Sequence, residues 1–150
     1  MYWDINNLYA WAMTQSLPCD SFYWVEKWKI EVRPNFWKED DDSEYGYILE
    51  VDLEYPEHLH DSHSDFPFCP EHCAAPGTKD KKLMTTLYSK KKYVIHYRAL
   101  KQALQHGLIL KKIHRAISFR QKPWLESYIN FNSKKRAAAK NEFEKHFLNY

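Results

Sequence analysis

At 150 residues, with 44% hydrophobic and 17% aromatic content, the chain can bury one modest core and is too apolar for a disordered tail. It contains no G-x-x-x-x-G-K or G-x-G-x-x-G phosphate loop, no apolar run near the ~20 residues of a membrane span, and an odd count of three cysteines that suits a reducing compartment. The net charge of +2 conceals a split: residues 1–78 hold four Lys/Arg against sixteen Asp/Glu (−12), and residues 79–150 hold eighteen against four (+14). A basic half interleaved with aromatics is the electrostatic footprint of a nucleic-acid partner, and a solvated basic face is the plainer alternative.

In chain order, "YWDINNLYAWAM" opens as a helix after Asp4, with Leu8, Tyr9, Ala12 and Met13 at helical spacing and Pro18 beyond its end. Asn6 or Asn7 is suited to cap it, and Asp4 taken alone reads as a cap or a surface carboxylate. "KEDDDSE" at 38–44 reads as a solvated loop. "YGYILEVDLEYP" then alternates, with Tyr45, Tyr47, Leu49, Val51 and Leu53 on one side and Glu50, Asp52 and Glu54 on the other. This predicts a half-buried strand stopped by Pro56.

Residues 57–82 show no clear period and read as an extended insertion. Its His58, His60, His63, Cys69, His72 and Cys73 include a Cys-x-x-His-Cys run with zinc-type donors, but no second half at finger-like spacing. An ordinary polar loop is the plainer reading, and Cys19 has no assigned role. From 83 the pattern is strand, helix, strand. The helix carries Tyr97, Leu100, Ala103 and Leu104 on one face and closes at Gly107, and "LILKKIHRAISF" places Ile109, Ile113, Ile117 and Phe119 together. Residues 134–149 read as a last helix, with Phe143 and Phe147 at i,i+4. Strands and helices mix without a βαβ rhythm, so the fold class is α+β.

"DINNLY" resembles motif A of the family B DNA polymerases. "YWDINNLYAWAMTQSLP", "ILEVDLEYPEHLHDSHSDFP", "KKYVIHYRALKQAL" with its continuation to "YINFN", and "KRAAAKNEFEKHF" together resemble the protein-primed branch of viruses, linear plasmids and Polinton/Maverick elements. The resemblance implies a partial palm of strands plus the motif A helix, with the beginning of an α-helical fingers subdomain. Residues 1–56 would be palm with motif A, and 57–82 an insertion of the kind that contacts a terminal protein. Residues 83–119 would be a palm or insertion strand-helix-strand unit, and 120–150 the start of the fingers toward motif B.

In that family, nucleotides join by two-metal phosphoryl transfer. The resemblance makes Asp4 the catalytic carboxylate and a ligand of Mg²⁺, with the Ile5 carbonyl as a further ligand. The amides of Asn7, Leu8 and Tyr9 would face the nucleotide's phosphates, and the Tyr9 ring would lie under the deoxyribose as a steric gate. Arg136 and Lys140, one turn apart, would clamp phosphates, and Lys134, Lys135 and Lys145 would contact DNA; solvated lysines are the bland alternative. Ala10 stands where the general motif has proline or glycine. The implied partners are DNA template and primer, deoxynucleoside triphosphates and a terminal protein, with no membrane.

The motif B lysine with its Tyr/Phe-Gly and the Tyr-x-Asp-Thr-Asp hairpin of motif C do not occur in these 150 residues. The expectation is therefore a fragment whose parent is a DNA-directed DNA polymerase and which is inactive alone. The competing expectations are a non-catalytic remnant that binds DNA or a priming protein and, more weakly, a zinc-dependent interaction module.

Overall fold

The computed structural model describes residues 8–139 and 141. Its elements are α1 (Leu8–Met13), β1 (Leu17–Trp24), α2 (Lys27–Val32), β2 (Tyr45–Glu54), a 3₁₀ turn (Glu57–Leu59), β3 (Glu71–Ala74), β4 (Lys81–Met84), β5 (Lys90–His96), α3 (Tyr97–Gln105), β6 (Ile109–Lys122) and α4 (Glu126–Ala137). The fold is α+β. A four-stranded sheet runs β1-β6-β2-β5, every pairing is antiparallel, and β3 and β4 form a separate two-stranded ribbon.

β2 behaves as its alternation dictates. Leu49, Val51 and Leu53 are buried and lead the core, which also takes in Trp37, Ile95, Leu100, Ala103 and Ala116. Opposite them on β6 stand Ala116, Ile113 and Leu110, three residues apart rather than two. Two register shifts, between Glu50 and Val51 and between Asp52 and Leu53, create that spacing by inserting extra residues into β6. The expected grouping of Ile109, Ile113, Ile117 and Phe119 is thereby corrected. Ile109 is exposed, while Ile117 and Phe119 pair with Ile48 and Gly46 on the opposite face from Ala116.

That second face holds a small aromatic layer. Phe119 is fully buried between Phe22, at 6.1 Å, and His96, stacked at 5.8 Å. Gly46 leaves the space it needs, because a Cβ there would stand 2.5 Å from the Phe119 ring. α3 follows its predicted face. Tyr97, Leu100 and Ala103 are buried, the His96 ring nitrogen accepts the Arg98 N–H as a cap, and Gly107 (φ +100°) ends the helix.

Other readings need revision. β1 and α2 carry no clean period and are not apparent in the sequence. Pro18 lies inside β1, which tolerates a residue without N–H because it is a sheet edge. The 38–44 loop is exposed in its side chains but anchored through its backbone: Gln121 Nε2 lies 2.9 Å from the Ser43 carbonyl, Lys101 Nζ 2.8 Å from that of Glu39, and Arg98 donates to that of Asp41. The 57–82 insertion contains the β3 strand and the start of β4 rather than only loop. The fully buried Lys90 ammonium ties β5 to this ribbon, bonding Glu71 at 2.7 Å and the Thr86 hydroxyl at 2.6 Å. The final helix begins at Glu126, ahead of position 134, and stops at Ala137, where the Ala138 N–H turns back to carbonyls of the last turn. Of the expected 134–149 helix, the part from 142 onward, with Phe143 and Phe147, lies outside the described residues.

Charge is distributed as pairs. All seven ion pairs among the described residues join an acid of residues 1–78 to a base of residues 79–150. Six of the eighteen Lys/Arg of residues 79–150, with His114, are thus matched inside the fold among the described residues.

His96 gives a testable consequence. Burial, then the charges of Arg98 and Lys101, hold its imidazole below the ordinary 6.5, with Asp41 opposing. A base whose folded pKa is depressed favours the fold while neutral, so stability is present above about pH 6.5 and falls as pH drops through that value toward the folded pKa. His96→Asn keeps a capping acceptor and removes the titration. Urea midpoints measured from pH 8 to pH 5 should decline in the parent chain and run flatter in the variant.

Candidate nucleotide and nucleic-acid interface

The strand register decides which helices meet. α1 ends at Met13 just before β1, α4 begins at Glu126 just after β6, and Leu17 pairs with Lys122. Both helices therefore leave the sheet at the same end, and they pack against each other. Each buries little: Ala10 on α1 and Ile129 on α4. Ala10, where the general motif has proline or glycine, is the buried residue of its helix and is 8% exposed.

Of the residues assigned from motif A, Leu8 is half-exposed and Tyr9 is 86% exposed, so the Tyr9 ring is not part of the core. Asp4, Ile5 and Asn7 lie outside the described residues. On α4, Lys134, Lys135 and Arg136 are all exposed and fill the last turn. Cations there offset the negative end of the helix dipole, which is a structural reason for their placement. Lys135 also lies 5.5 Å from the centre of the Phe131 ring, one turn back. No ion pair engages these three among the described residues, unlike Lys111, Arg115 and Arg120 of β6. Lys140 and Lys145 fall outside the described residues.

The remaining carboxylates near the sheet are already committed. Asp52 accepts the Lys92 N–H at 2.8 Å and sits 2.9 Å from His114 Nε2; the backbone bond and then the histidine hold its carboxyl below the ordinary value. Asp20 is held down in the same way by Arg120, 2.6 Å away, and by the Ser21 hydroxyl. No three His, Cys, Asp or Glu side chains converge on a metal position among the described residues. The described residues therefore do not themselves offer Mg²⁺ a site, and the assigned ligands Asp4 and Ile5 are not among them.

The zinc-type donors are dispersed as well. Cys69 is buried with a positive φ of 59°, and burial pushes its thiol up to about 11. His72 and Cys73 follow each other on β3 and so point to opposite sides of it. The neighbouring histidines serve packing. The His63 Nδ1 lies 2.8 Å from the Tyr55 hydroxyl, His60 meets the Tyr55 ring edge-on, and His106 stacks on Phe68 at 4.9 Å.

Against known families, residues 1–149 match the family model described as DNA polymerase type B, organellar and viral. The chain belongs to that family. No curated protein and no solved structure matches it. No helix among the described residues is long and apolar enough to cross a membrane. The packing of α1 on α4 was only half apparent in the sequence. α4 from 126 to 133 has almost no apolar period, because Ile129 is its one buried residue. Also missed was a groove of about 740 Å³ beside α2, whose Trp24 and Trp28 follow no repeat that sequence reading could detect.

Replacing Lys134, Lys135 and Arg136 together by alanine should lower stability by only about 1 kcal/mol, since all three are exposed and what is lost is their screened interaction with the helix end. Each of these side chains that pairs with a phosphate should steepen the dependence of log affinity on log salt by about 1, so the triple variant should show a shallower slope. A salt series of DNA-binding titrations measures that slope; an unchanged slope means the three touch no phosphate.

Proposed function

We propose that this chain is the motif A portion of a protein-primed DNA-directed DNA polymerase, the part that receives the incoming deoxynucleotide and places it for addition to a primer. The observation that carries the reading is the packing of α1, with Tyr9 exposed, against α4, whose basic last turn has no ion pair among the described residues, in a chain of the type B family. Residues 1–56 act as palm with motif A, and 57–82 as the insertion that meets a terminal protein. Residues 83–119 act as a palm or insertion strand-helix-strand unit, and 120–150 begin the fingers toward motif B.

In this reading the Asp4 carboxylate and the Ile5 carbonyl are the hard oxygen donors that hold Mg²⁺, which when bound neutralises charge on the triphosphate. The amides of Asn7, Leu8 and Tyr9 orient phosphate oxygens at the start of α1. The Tyr9 ring supports the deoxyribose and excludes a 2′-hydroxyl. Arg136 and Lys140 hold phosphates, while Lys134, Lys135 and Lys145 follow the DNA backbone. The non-catalytic alternative drew its support from the +14 half, and the ion pairs across the two halves weaken that support.

Two experiments test the reading. Asp4→Asn in the polymerase that contains this segment should cut primer extension by about 100-fold or more, since metal stabilisation of the transition state amounts to several kcal/mol. The 150 residues alone should extend nothing; template-dependent, Asp4-sensitive incorporation by them would refute that part. In the same polymerase, Tyr9→Val should raise ribonucleotide incorporation relative to deoxyribonucleotide. Unchanged sugar selectivity in single-nucleotide kinetics would remove the gate role.

A further inference from the structure

The groove beside α2 combines flat aromatic surface with cations. Tyr23 and Trp24 at the end of β1 and Trp28 on α2 form its rim, and Phe36 and Tyr47, edge-to-face at 5.1 Å, form its wall. Its rim rings remain in water: Tyr23 is 65% exposed, Trp24 61% and Trp28 55%. Each indole carries a cation on one face. The Arg115 guanidinium lies 5.3 Å from the Trp24 ring centre, and the Lys29 ammonium 5.5 Å from that of Trp28. The Trp28 indole N–H donates to Glu26 at 2.5 Å, which fixes the plane of the ring. The charged lining is Lys29, Arg33 and Glu39, a net positive set.

We propose that this groove binds single-stranded nucleic acid, with bases stacked on Trp28 and Trp24 and phosphates held by Lys29 and Arg33. A single strand alternates a flat π-surface with an anion, and the groove alternates indole and cation to match. A duplex keeps its bases covered and has no face to offer. The choice of nucleic acid over a peptide rests on the polymerase reading, whereas the position of the groove is independent of motif A. Tyr23 and Trp24 lie at the far end of β1 from α1, and Ser118 of β6 lines the same groove.

The test is titration of the 150-residue chain with a labelled oligothymidylate, followed by anisotropy and by tryptophan fluorescence. The single strand should bind and quench the fluorescence, and a duplex of equal length should not quench it. Trp28→Ala should weaken binding about five-fold or more, the usual effect of removing one stacking ring. Trp28→Phe should restore part of the loss, and Lys29→Ala with Arg33→Ala should flatten the salt dependence. Unchanged affinity in both Trp28→Ala and Trp24→Ala overturns the proposal. So does a loss of binding confined to the Lys134/Lys135/Arg136 variant, which would place the strand on α4. If the oligonucleotide does not bind and Trp28→Ala instead abolishes self-association in sedimentation, the groove is an interface between copies and the proposal falls. Asp4-sensitive primer extension that persists in a polymerase carrying Trp28→Ala, with oligonucleotide affinity unchanged, rejects the groove and leaves the polymerase reading standing.

Discussion

The pairing of β2 with β6 is the constraint from which the rest of the molecule follows. It is the longest ladder in the sheet, and its two register shifts let one strand satisfy two demands. On one face Leu110, Ile113 and Ala116 meet Leu53, Val51 and Leu49 and close the core. From the same strand Lys111, His114 and Arg115 reach Glu54, Asp52 and Glu50. A strictly alternating β6 would keep the apolar set two residues apart and would not place a base beside every acid. The bulges therefore hold the hydrophobic and electrostatic registers in agreement. Asp52 extends the agreement to β5, since it also accepts the N–H of Lys92, which sits in the left-handed region at φ 50°.

This arrangement changes the meaning of the charge split. A sequence with −12 in one half and +14 in the other invites a partner outside the chain. The fold supplies part of that partner from within, because the acidic β2 lies between the basic β5 and β6. Exposed pairs contribute little each to stability, but like charges placed opposite one another would oppose this strand order, so the pattern selects register more than it adds energy. The last turn of α4 and Lys29 beside Trp28 hold cations that no ion pair of the fold engages among the described residues. Net charge per half is a poor guide to such surfaces, since it does not distinguish a lysine across a ladder from one at a helix end.

Legibility followed periodicity. β2 and α3 were readable because single-faced burial leaves a clean period of two or of three to four, and Gly107 and Pro56 mark real ends. β6 was readable as a strand but not in its facing, because bulges are a tertiary compromise with no fixed local signature. β1 and α2 were not readable at all. Their tyrosine and tryptophans face solvent rather than core, and Pro18 looks like punctuation until its place on a sheet edge is known. The candidate nucleotide site was legible only through the resemblance of "DINNLY" and the blocks after it. One carboxylate before a short helix has no chemistry that spacing alone can specify.

The geometry of β1 and β6 also relates the two candidate surfaces to each other. Leu17 pairs with Lys122 at one end of this ladder, beside α1 and α4, and Trp24 pairs with Ile117 at the other, beside the groove. Seven residue steps of extended chain separate Leu17 from Trp24, roughly 20 Å at about 3.3 Å per residue. A nucleotide site at α1 and a stacking groove at Trp24 would thus share one strand pair as their ruler. β6 runs from the groove end to Lys122, and three residues join it to α4. The bulges at Cys19 and at Ser21, where φ is 57°, are the points at which β1 would give way first, since there its register to β6 is already broken.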